Sequence, residues 1–194
     1  YCKQGKTTSA RTRLDEYMEA HPKEESLLEF DQFLKKLGKQ DKVKKTFKRL
    51  KKGSPFPAFT GKRLDNGESW DLSKNKGKVT LIGFWVPFSN GKPVKVGRKE
   101  LVAATKLHGK YADVGLVVLG VPYDRNPDRL KPYIEKLGLA WPQLRAGDEI
   151  ARSIGVHPFP YWVLLGPDGK VIAKDLRGSK LDRAVRKALD KHGG

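Results

Sequence analysis

Two short apolar runs, Val79–Val86 and Gly115–Val121, flank a stretch whose apolar residues recur at helical spacing. This order constrains the fold more than any other feature. Each run is continuous and rich in Val, Leu and Ile, which predicts buried strands over 78–86 and 115–121. Between them Leu101, Ala104, Leu107 and His108 fall on one side of a helix predicted over 98–112. Strand, helix and strand in that order predict parallel strands joined by a right-handed crossover. A helix is then expected near 127–137, followed by Trp141-Pro142-Gln143-Leu144, a short helix near 147–154 and a strand from Phe159 to Leu165. Pro167-Asp168-Gly169 turns that strand into a partner over 170–176, and a basic helix at about 179–191 closes the chain. Asp65-Asn66-Gly67 marks an earlier turn. The pattern predicts an α/β fold, a three-layer α/β/α sandwich with a central mixed sheet.

The residues before 53 follow a different pattern. Residues 1–10 show no periodicity. Leu14, Tyr17 and Met18 suggest a short helix over 11–20. Pro22 opens a second helix with Leu27, Phe30, Leu34 and Leu37 on its stripe and Gly38 as its stop. The run Lys42–Lys52 reads as a third helix, with Val43, Phe47 and Leu50 on one face. Gly53-Ser54-Pro55-Phe56-Pro57 breaks the pattern. Two parts are therefore expected: a basic helical segment over 1–52 and an α/β domain over 53–194.

The 194 residues carry a net charge of +18, with 15 basic against 8 acidic residues in 1–54 and 25 against 14 in 55–194. A polyanion or nucleic-acid partner stays open on that excess, densest over 42–52, where Phe47 is the one aromatic residue. Val79–Val86 is far short of the ~20 apolar residues of a membrane span. A single cysteine, Cys2, excludes an internal disulfide, a Cys-rich zinc site and an intramolecular dithiol reaction within this chain. His21, His108, His157 and His192 lack metal-ligand spacing, and no metal or cofactor is expected. Lys3-Gln4-Gly5-Lys6-Thr7 ends like a phosphate-binding loop without the strand and helix that such a loop needs. Ser89 and His157 have no orienting acid, which argues against a hydrolase. The start at Tyr1 reads as a fragment or a processed product.

Several segments together resemble the thioredoxin fold, specifically the redoxin family of TlpA/ResA-type thiol-disulfide oxidoreductases. They resemble, more distantly, the alkyl hydroperoxide reductase/thiol-specific antioxidant (AhpC/TSA) proteins. Gly53 to Phe59 is similar to the family's Gly-x-x-x-Pro-x-Phe segment, and Trp70-Asp71-Leu72-Ser73 with Lys76-Gly77-Lys78-Val79 to its lead-in to the first central strand. Phe84-Trp85 sits where the Phe-Trp before the active site belongs. Glu100-Leu101 through Gly120-Val121 keeps the helix-to-strand spacing, Gly155 to Pro160 resembles the proline-bearing segment, and Asp168-Gly169-Lys170-Val171 the hairpin. The likeness spans roughly 53–190. It implies a bacterial protein of the periplasm or another extracytoplasmic place, with a membrane anchor expected in a segment before Tyr1.

The departure lies in the chemistry. The family carries Trp-Cys-x-x-Cys after the Phe-Trp strand. Counted from Trp85, the two positions fall on Ser89 and Lys92; counted back from Glu100, on Val94 and Gly97. The two counts imply an insertion of about five residues, and neither meets a Cys. The reaction needs a thiolate at a helix N-terminus and a second thiol to resolve the mixed disulfide. A Ser hydroxyl is not ionised near neutral pH without a base. The polar or acidic residue that relatives bury before Phe-Trp corresponds to Gly83. Pro160 matches the proline that is cis in this fold and that leaves backbone groups open for substrate pairing. The expectation is a degenerate site with a polypeptide-binding groove formed by Trp85, Phe88, Ser89, Phe159 and Pro160. Lys92, Lys95 and Arg98 form a candidate anion site at the helix start, with a solvated insertion loop as the plainer reading. Residual thiol-disulfide exchange through Cys2 or a partner's thiols is the alternative, and polyanion binding the second alternative.

Overall fold

The computed structural model describes residues 50–89, 92–95, 97–124, 126–145, 150–151, 154–156 and 159–192. Cys2 and the helices expected over 11–20 and 22–37 lie outside them, as does most of the run 42–52. The described end of that run, Leu50–Lys52, is not helical. It enters a turn in which the Ser54 backbone N–H donates to the Lys51 carbonyl at 3.0 Å, and Leu50 is buried in the core. The Gly53-Ser54-Pro55 break thus ends any helix earlier than the charge pattern suggested.

The central sheet is built from the two apolar runs. β3 (Val79–Trp85) lies between β6 (Leu116–Pro122), parallel to it, and β8 (Tyr161–Leu165), antiparallel. β9 (Val171–Lys174) pairs antiparallel with β8 and forms the edge, so the order is β6-β3-β8-β9. Before this sheet, β1 (Thr60–Arg63) and β2 (Ser69–Asp71) form a hairpin. Its turn is the Asp-Asn-Gly segment, where Gly67 takes φ 74° and donates to the Arg63 carbonyl at 3.0 Å. β7 (Leu144–Arg145) joins the other side of β1. A third, two-stranded unit, β4 (Phe88–Ser89) with β5 (Lys92–Pro93), follows β3.

Period-2 alternation divides the core between the sheet faces. Val79, Leu81 and Trp85 pack with α1 (Arg98–Tyr111) and α3 (Ser179–His192) through Leu101, Ala104, Leu107, Leu181 and Val185. Ile82 and Phe84 pack on the other face with Phe56, Phe59, Trp70 and Ile154. α2 (Pro127–Lys136) starts as its sequence predicts: the Asn126 side chain accepts from the Asp128 N–H at 3.0 Å, and Pro127 stands in the first turn. Of the short helix expected near 147–154, Ile150 and Ala151 are helical and Ile154 is in a turn. The strand expected from Phe159 begins at Tyr161, after a bend at Phe159 and Pro160, whose peptide bond is cis. Among the described residues, no helix is long and apolar enough to cross a membrane.

Candidate functional site

The C-terminal end of β3, the start of α1 and the residue pair before β8 meet at one place. Gly97 caps α1 in the left-handed region at φ 87°, and no side chain caps the helix. A Cβ on Gly97 would stand 2.8 Å from Cγ of Pro160. The helix start and the cis-proline are therefore in direct apposition, with no room for a side chain between them. Of the two counts made along the sequence, the one running back from Glu100 ends on the residue that abuts Pro160.

Ser89 and Lys92, the positions counted forward from Trp85, face each other across the β4–β5 hairpin. The described residues of the five-residue surplus are folded, not merely solvated. After β5, the Val94 N–H donates to the Pro87 carbonyl at 2.9 Å and closes the base of the hairpin. Phe88 anchors it. Its ring lies 4.7 Å from the Tyr133 ring, and the Arg129 guanidinium sits 4.9 Å from the Phe88 centroid. Arg129 is in turn held by the Asp124 carboxylate, with Nε to Oδ2 at 2.9 Å and the Asp124 side chain only 1% exposed. Tyr133 gathers three of the residues singled out above: Phe88, Trp85 at 6.4 Å between ring centroids, and Arg98, whose Nη2 donates to the tyrosine hydroxyl at 3.1 Å.

Trp85 and Pro160 are buried, whereas Phe88 and Phe159 are half-buried. Trp85 is committed to the interior, because its Nε1 donates to Gln143 Oε1 at 3.1 Å. The surface at this end of the sheet is thus provided by Phe159, whose ring lies 5.9 Å from the Tyr123 ring at a tilt of 50°, and by the half-buried Phe88. Lys92, Lys95 and Arg98 are all at least partly exposed, and one Arg98 nitrogen is engaged by Tyr133. Tyr133, Gln143, Asp124 and Arg129 were not foreseen. The only signal for Tyr133 was its i, i+3 relation to Leu130, which marks a buried helix face but names no partner.

Gly83 pairs with Trp162 across β3 and β8. A Cβ there would overlap the Trp162 indole, which occupies the space where a buried polar side chain would extend. Trp162 is fully buried, and its Nε1 has no acceptor among the described residues. Among the described residues, the space above Gly83 therefore holds an indole and not a carboxylate. Among the described residues, no three His, Cys, Asp or Glu side chains group to hold a metal ion.

A family model described as the AhpC/TSA family matches residues 52–174. The thiol-disulfide oxidoreductase ResA of Bacillus thuringiensis subsp. konkukian is 28% identical over 140 residues, covering 72% of this chain and 77% of that protein. The thioredoxin domain of a thiol-disulfide oxidoreductase from Bacteroides vulgatus is 33% identical with a TM-score of 0.65, covering 72% of this chain and 99% of that one. A thiol:disulfide interchange protein from Bacteroides sp. is 32% identical with a TM-score of 0.64, over 73% of this chain and 91% of that one.

Proposed function

The chain belongs to the AhpC/TSA family with a thioredoxin-like fold, and from that membership we propose that it binds polypeptides and has given up dithiol exchange. The observation that carries the reading is the Gly97–Pro160 contact. The scaffold keeps the helix start against a cis-proline, while Gly97, one of the counted thiol positions, has no side chain and no space for one. The half-buried rings of Phe159 and Phe88 offer apolar surface for a client's side chain. The same reading assigns the protein to an extracytoplasmic compartment of a bacterium, on its likeness to the oxidoreductases above.

Two assays test this reading together. In insulin reduction by dithiothreitol, the chain and its Cys2→Ser variant give no rate above background, while an authentic thioredoxin does. An unfolded, carboxymethylated polypeptide, which has no free thiol, binds equally to the chain and to Cys2→Ser, and about tenfold more weakly to Phe159→Ala. A substantial reduction rate lost in Cys2→Ser would move the function to residual exchange through that thiol. Failure to bind the polypeptide, with a steeply salt-dependent affinity for nucleic acid instead, would move it to polyanion binding.

A further inference from the structure

A second groove, of about 550 Å³, runs between β9 and the flank of α3. It lies toward the far end of β8 from Pro160, and β8 spans ~14 Å at ~3.4 Å per residue. Its floor is aliphatic and low: Ile172 and Ala173 from the strand, Ala184 and Ala188 from the helix. Its rim is basic. Lys52, Lys170, Lys187 and Lys191 line it and are exposed, and the one lining carboxylate, Asp168, is already paired with Lys170 at 3.1 Å. Lys187 and Lys191 are i, i+4 on α3 and share a side of the helix.

β9 is also the edge strand. The chain entering the domain pairs only with its first residue: Gly53 donates to the Val171 carbonyl at 2.8 Å, and Val171 donates to the Ser54 carbonyl at 2.9 Å. Beyond Val171, among the described residues, no strand covers the outer side of β9. A sheet edge beside a shallow aliphatic trough suits a strand whose side chains alternate. The lysine rim requires the partner to be acidic. The α3 C-terminus opposes this with about half a negative charge, which the three ammonium groups outside the Asp168–Lys170 pair outweigh. A nucleic acid is the poorer fit, because single strands need ring platforms for stacking and His192 is the only ring among the described lining residues.

We propose that this groove binds an extended acidic polypeptide segment, laid along the β9 edge with its small apolar side chains over Ala173 and Ala184 and its carboxylates among the lysines. This surface is separate from the one at Pro160. The probe is a fluorescein-labelled octapeptide of alternating Glu and Val, titrated into the full chain at moderate salt and read by anisotropy. Its affinity falls at least about tenfold in a Lys187→Glu, Lys191→Glu double variant. It falls comparably in Ala184→Phe, which fills the trough without changing charge. Phe159→Ala, at the other groove, leaves it unchanged. The proposal is overturned if a Lys-Val octapeptide binds as well, if both groove variants bind like the parent, or if an oligothymidylate binds the groove in place of the peptide. The double variant changes exposed residues only, so the test stands even where Ala184→Phe folds poorly.

Discussion

Gly97 and Gly109 are both in or at α1, yet they carry opposite expectations. Gly97 sits at φ 87° with Pro160 in the path of any Cβ, whereas a Cβ on Gly109 meets nothing within 4 Å. Gly97→Ala is therefore expected to cost roughly 1–3 kcal/mol in urea unfolding, and Gly109→Ala to gain up to about 1 kcal/mol through helix propensity and the unfolded state. Tyr161 supplies a second residue-scale test. Burial, with a smaller contribution from the Asp175 carboxylate, pushes its hydroxyl up to about 12. The folded state thus favours the neutral phenol, and that contribution is complete below the ordinary tyrosine value near ~10. It is lost as pH rises toward about 12. Between those limits the parent chain should lose stability faster than Tyr161→Phe, measured by urea midpoints at stepped pH.

Elements with their own periodic signal were legible in the sequence. β3, β6, α1, α2 and α3 each match their predicted spans within about two residues, because each buries a stripe that its own spacing announces. The β1–β2 strands and the β4–β5 hairpin were not legible, although the turn in the first was. Strands of two to four residues are too short to show a period, and β4–β5 packs on α2, about forty-five residues further along the chain. The same limit applied to the site. Ser89, Lys92, Val94 and Gly97 were all countable, but only the apposition with Pro160 distinguishes Gly97 from the others. If Phe88 is what holds the hairpin, Phe88→Ala should raise amide exchange at Val94, whose N–H closes the hairpin base, with little change in α3. The Phe88 ring's packing on Tyr133 and its stacking under the Arg129 guanidinium are together worth about 1–2 kcal/mol. Arg129→Ala should cost more, since it also strips the cationic partner from the nearly inaccessible Asp124 carboxylate, leaving it the Asn126 N–H at 2.9 Å.

Across the whole molecule, the thioredoxin-like frame carries three features at the end of the sheet where β3, α1 and Pro160 meet. Gly97 abuts Pro160, Trp162 fills the space above Gly83, and the β4–β5 hairpin lies between β3 and α1 in the chain. These features lie on different elements and depend on different neighbours. A Val94→Cys, Gly97→Cys double variant should therefore gain no insulin-reducing activity and should be less stable than the parent. A rate approaching that of an authentic thioredoxin would show that the thiols alone were missing. Trp162 makes the point most sharply. Its indole fills the space above Gly83, so placing any side chain there requires shrinking a fully buried tryptophan in the same step. Either change alone leaves a cavity or a collision, so a side chain reaches that position only through two coupled substitutions.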